Sequence, residues 1–172
     1  MNLKTKIASW EIVSFKTKGL LATFSLILAS VLAPAIFAHA PQNQWLTGTI
    51  VNSILFIGAY KLPLANIFLI AVIPSAVALS RGLLPLPLAT FIPFIILSNI
   101  LLAVTFKTTK KQLLPAVIIS SFVKFSFLYG TVLLVSQKTQ SPMLAMLGFP
   151  QLFTALAGGL LAILFINIFS EK

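Results

Sequence analysis

Long apolar runs alternate with short polar or basic gaps along the chain. A helix needs about 20 residues to cross the hydrocarbon of a bilayer, and the pattern predicts six such helices. Gly19 to Ala38 is the first run. Thr47 to Tyr60 and Leu64 to Ser80 are shorter and flank a tight turn, Lys61-Leu62-Pro63. Leu88 to Phe106 follows a turn rich in Pro and Gly, Arg81-Gly-Leu-Leu-Pro-Leu-Pro87. Pro93 predicts a kink in this fourth run. Gln112 to Ser136 opens with Pro115 in its first turn, where proline is tolerated. Met143 to Phe169 is the sixth run and contains Pro150.

The gaps and flanks refine this picture. Residues 1–18 mix Lys4, Lys6, Lys16 and Lys18 with Ile7, Trp10, Val13 and Phe15. That spacing fits an amphipathic helix on the membrane surface with Trp10 among the headgroups; a frayed basic lead-in fits as well. Ala38-His39-Ala40 looks like a signal-peptide cleavage site, but the preceding run exceeds the usual h-region of about 7–15 residues. Pro41 would also follow the cut, so the first run is read as retained. A re-entrant hairpin in place of the second and third spans would strand Lys61 in hydrocarbon. A turn at the interface lets its long stem snorkel. The chain thus divides into a cytoplasmic or interfacial segment, 1–18, and a six-helix transmembrane domain, 19–172.

Composition agrees. Of 172 residues, 59% are apolar and 8% charged, with a mean hydropathy of +1.07, which excludes a soluble globular domain. Twelve Lys and Arg face only two carboxylates, Glu11 and Glu171, for a net charge of +10. These cations lie in the gaps and form no basic face, so nucleic acid is not the expected partner; the lipid bilayer is. With the N-terminus in the cytoplasm, nine cations fall inside, and Arg81 and Lys138 fall outside. That asymmetry satisfies the positive-inside rule. The expectation is an all-α integral membrane bundle of six transmembrane helices. Both termini are cytoplasmic, and the protein is a multi-pass resident of the cell (plasma or inner) membrane.

Little catalytic chemistry is on offer. There is no cysteine and only one histidine, His39, so neither a thiolate nor a multi-His metal site is expected. No carboxylate lies in any span, and no phosphate-binding loop occurs. An enzyme is therefore not expected, and neither is a cofactor. Lys124 is the outstanding residue, in the middle of the fifth span without an acidic partner: either it is neutral, or carbonyl dipoles and water hold it, or an anionic ligand group visits it, and a structural lysine lining a wet crevice fits as well. A charge there costs about 2.5–3.5 kcal/mol or more. Ser120, Lys124 and Thr131 share one helix face. Asn52 and Gln151 are expected toward the outside and Asn99 in the inner half. Asn52, Gln151 and the loop residues Asn43, Gln44 and Trp45 are candidates, with Lys124, to line an outward cavity for a planar, polar solute, an anionic one included. Each amide also fits interhelical glue, and Trp45 fits an interface anchor. Ser25, Ala29 and Ala33 on the first run recur at four-residue spacing, as do Ala155 with Gly159 and Gly158 with Ala162 on the sixth. Such patterns let helices approach closely, within the chain or with a partner.

The stretch Ala40-Pro41 through Gln44, Thr47-Gly48, Asn52 and Leu55-Phe56 resembles predicted S components of energy-coupling factor (ECF) transporters. So does the later set Pro74-Ser75, Gly82-Leu83-Leu84-Pro85, Pro93-Phe94 and Asn99. The resemblance spans roughly residues 20 to 168. It implies a substrate-capture subunit that binds a small vitamin-like molecule from the outer face. It implies, too, docking onto a transmembrane coupling protein served by an ATPase pair. Ala29 and Ala33 match the family's docking motif. Asn43, Gln44, Trp45, Lys124 and Gln151 fall where the family places substrate. Met1-Asn2 departs from the histidine-bearing start of the metal-binding branches, so no metal substrate is implied. The competing expectation is a scaffold or assembly subunit without transport, with its amides satisfied by neighbouring helices and no outward pocket.

Overall fold

A computed structural model of the chain describes residues 3–37, 43–80, 86–135 and 140–170. The cleavage-like Ala38-His39-Ala40, the turn at 81–85 and the outer loop around Lys138 lie outside the described residues. The amphipathic reading of residues 1–18 rests on side chains that also lie outside them. The elements are α1 Leu3–Ile36, α2 Asn43–Lys61, α3 Leu64–Ser80, α4 Leu86–Ala89, α5 Ile92–Thr109, α6 Leu113–Val135, α7 Gln140–Leu147 and α8 Phe149–Ser170. No strand occurs among the described residues. The fold is all-α, with six long helices corresponding to the six predicted spans. Stretches in α1, α5, α6 and α7–α8 are long and apolar enough to cross a bilayer; Leu64–Val77 of α3 is shorter.

α2 is the central helix. It packs on α1, α3, α5 and α8, while α1, α3, α5, α6 and α8 follow one another around it, each touching the next. Covered on these sides, α2 buries Asn52, while Gln44, Thr47, Thr49 and Ser53 stay partly exposed. Its closest neighbour is α8, approached through glycine. A methyl group on Gly158 would stand 2.6 Å from the Thr49 carbonyl and 2.8 Å from Asn52 Cβ. One on Gly159 would collide with Val117 of α6. The small-residue pattern of the sixth span therefore serves contacts inside this chain. Leu55, Phe56, Leu102, Phe106, Ala116 and Val117 form one apolar cluster, with the Phe56 and Phe106 rings edge-to-face at 4.9 Å. Leu88, Phe91, Val132, Met143 and Leu147 form a second. Along α5 and α6 the two clusters are separated by the layer holding Asn99 and Lys124.

Proline explains where the helices depart from the predicted runs. The fourth run is not a kinked helix: it breaks at Thr90 and Phe91, and α5 restarts with Pro93 in its first turn. There the missing N–H would be unsatisfied in any case. The sixth run breaks at Gly148, and Pro150 enters the first turn of α8. A Cβ on Gly148 would overlap the Leu144 carbonyl, so only glycine fits this close approach. At its start, α1 absorbs most of the N-terminal segment into one continuous 34-residue helix. α2 begins four residues before the predicted Thr47, at Asn43, so Asn43, Gln44 and Trp45 sit on a helical turn and not in a loop. Pro115 lies in the first turn of α6, as predicted.

At the opposite end of α2, lysines take the place of the missing intrahelical donors. Lys107 Nζ donates to the Leu62 carbonyl at 2.6 Å and to Ala59 at 3.4 Å. Lys110 Nζ donates to Tyr60 at 3.0 Å and lies over the Tyr60 ring. Lys61 lies over Phe165 of α8. Cations at a helix C-terminus typically contribute about 0.3–1 kcal/mol each, so this cluster ties α5 and α8 to the end of the central helix.

Candidate functional site

Lys124 stands halfway along α6, 3% exposed. Its Nζ donates to Asn52 Oδ1 of α2 and to Asn99 Oδ1 of α5, both at 2.7 Å. Sequence position alone placed Asn52 toward the outside and Asn99 toward the inside; the fold brings both to the level of Lys124. Hydrogen bonds to a charged group contribute about 1.5–3 kcal/mol each, so two of them offset an insertion cost of about 2.5–3.5 kcal/mol. The bundle can thus hold the amine at this depth without a carboxylate, and the two amides bring no counter-charge. An ammonium has three N–H donors, and among the described residues two are used. One turn earlier on α6, Ser121 is fully buried and its hydroxyl has no partner.

Ser120, Lys124 and Thr131 are all buried, so the predicted polar stripe does face the interior. The two hydroxyls are not interhelical glue, however. Ser120 donates to Ala116 and Thr131 to Phe127, on their own helix. The stripe leaves Lys124 as the group on α6 that reaches across to other helices.

From Asn52 the hydrogen bonds continue toward α7. Asn52 Nδ2 donates to Thr154 Oγ1 at 3.4 Å, and Thr154 donates to the Gln151 carbonyl at 3.3 Å. Gln151 Nε2 donates to the Met146 carbonyl at 3.3 Å, and Gln44 Nε2 donates to the same oxygen at 2.8 Å. The reason Met146 needs side-chain donors lies in the sequence. In an uninterrupted helix its carbonyl would accept from residue 150, and residue 150 is a proline with no N–H. Two glutamines from different helices supply the donor instead. They are therefore committed to closing the helix break.

The candidates expected to line one cavity thus separate. Asn52 and Lys124 meet directly. Gln44 and Gln151 meet at Met146, linked to the first pair through Thr154. Asn43 is exposed. Trp45 is 41% exposed on the outer side of α2, its ring 6.2 Å from Phe153, which suits an interfacial anchor. Of the two docking candidates, Ala29 lies on the exposed face of α1 beside Ser25, whereas Ala33 is covered by the chain itself. Asn99 and Thr154 belong to the network and were not among the candidates. Asn99 was legible as a lone amide in an apolar run; Thr154 carried no such signal. Among the described residues, no group of His, Cys, Asp and Glu is placed to hold a metal ion. No family model, curated protein or solved structure matches the chain.

Proposed function

We propose that the chain is the solute-capturing membrane subunit of an ECF-type importer, binding a small vitamin-like molecule from the outer face. The observation that carries this reading is the Lys124 amine, buried halfway along α6 and held from α2 and α5 by uncharged oxygens. Ionisable groups inside a membrane are rare and mark ligand or ion paths more often than packing. The sequence holds no nucleotide-binding loop, so uptake would draw on separate ATPases through a coupling protein. In this reading both termini face the cytoplasm and the broken α7–α8 end faces outward. The exposed Ser25 and Ala29 face of α1 is then the side offered to the coupling protein.

The scaffold reading is favoured by amides satisfied inside the chain: Gln44 and Gln151 by the Met146 carbonyl, Asn52 by Thr154 and Lys124, and Asn99 by Lys124. A single preparation separates the two readings. The chain is purified with its partners from a mild detergent, and the bound small molecules are extracted and weighed by mass spectrometry. Capture predicts a stoichiometric metabolite that is lost in Lys124→Ala, together with a co-purifying ATPase pair. A preparation free of both, from cells that express the ATPases, would remove the transport reading.

A further inference from the structure

We propose that the Lys124 site takes a carboxylate, with one oxygen on the free Lys124 N–H and the other on the Ser121 hydroxyl. This rests on the capture reading above and adds the chemical class of the cargo. Three observations support it. First, the chain has no Asp or Glu between residues 12 and 170, so no span can supply a counter-charge to this buried ammonium. Second, the groups that do hold Lys124, Asn52 and Asn99, accept through neutral amide oxygens; they position the nitrogen and leave its charge uncancelled. Third, Ser121 Oγ is buried without a partner. Buried hydroxyls in proteins are hydrogen-bonded as a rule, and residues three apart on a helix are surface neighbours. Ser121 thus presents a free hydroxyl one turn from Lys124, whose amine in its protonated form keeps a third N–H. A singly charged, planar oxyanion uses both donors at once. A neutral solute would leave the charge unanswered, and a cation would be repelled by it.

Two sources can supply the carboxylate, a water-soluble metabolite or a fatty acid, and the probes distinguish them. The chain in lipid nanodiscs is titrated with benzoate, acetate and octanoate, each beside its neutral amide, with thermal unfolding as the readout. At least one carboxylate should raise the melting temperature while its amide does not. A response to octanoate alone assigns the site to a lipid-derived acid, whereas benzoate or acetate assigns it to a soluble one; either outcome supports the inference. Ser121→Ala removes a hydroxyl that bonds nothing in the protein, so the ligand-free melting temperature should not fall. Carboxylate affinity should fall roughly 5- to 10-fold, the worth of one hydrogen bond. Asn99→Asp places a carboxylate against Lys124 and should abolish the response. The inference is overturned by amides that stabilise as well as the acids, by no response to any carboxylate, or by a response unchanged in both variants. An ATPase pair that co-purifies with a chain binding no carboxylate would overturn this inference and leave the transport reading standing. Carboxylate binding without the ATPases would do the reverse.

Discussion

At the scale of single residues, one ammonium and two amides account for the polar centre of the bundle. The physical test of their coupling is to remove them separately and together. Asn99→Leu leaves Lys124 with one of its two acceptors and should destabilise the protein by about 1.5–3 kcal/mol. In a Lys124→Met background the same change should cost little, because no charge remains to be held. Unfolding titrations of the four proteins would measure that difference; equal costs in both backgrounds would show that Lys124 and Asn99 are not energetically linked. Lys124 was legible from sequence because a charge in a 23-residue apolar helix has few innocent explanations. Its partners were not. Depth along a helix can be estimated from residue number, but tilt and offset between helices decide which amide reaches which nitrogen. Asn52 and Asn99 were therefore expected on opposite sides of a level they share.

At the scale of elements, proline set the boundaries more than hydrophobicity did. Apolar content continues unbroken through Phe91 and through Gly148, so a hydropathy reading sees one helix where the chain builds two. Pro115 was placed correctly because it followed a basic gap, while Pro93 and Pro150 lay within apolar runs and were read as interior. The break before α8 sets up an exchange that can be measured. Gln44→Leu should cost about 1 kcal/mol by withdrawing a donor from the Met146 carbonyl. Pro150→Ala restores a backbone N–H to that carbonyl, and in its presence Gln44→Leu should become nearly neutral. Additive effects in this cycle would mean that the glutamine and the proline do not serve the same oxygen. Gln44 and Gln151 looked like solute contacts because buried amides invite that reading. What the sequence concealed was the backbone group each would find, 102 residues away in the case of Gln44.

At the scale of the whole molecule, the class was evident from composition: few charges, many apolar residues and, Lys124 apart, cations in the gaps. The lack of cysteine makes sidedness simple to measure. In the proposed orientation, Lys111→Cys should react with an impermeant thiol reagent from the cytoplasmic side only, and Asn43→Cys from outside only. The opposite labelling would invert the assigned orientation. The same scale gives meaning to the tie between α1 and α3, where Asn66 Nδ2 donates to Thr23 Oγ1 at 2.7 Å while that hydroxyl donates to Gly19 at 2.7 Å. Membrane chains are inserted from the N-terminus, so α1 enters lipid before α3 has been synthesised. Thr23 can wait there with its proton already engaged on its own helix. When α3 arrives, the waiting oxygen meets an incoming amide, so the clasp closes without the Thr23 proton having stood bare in hydrocarbon.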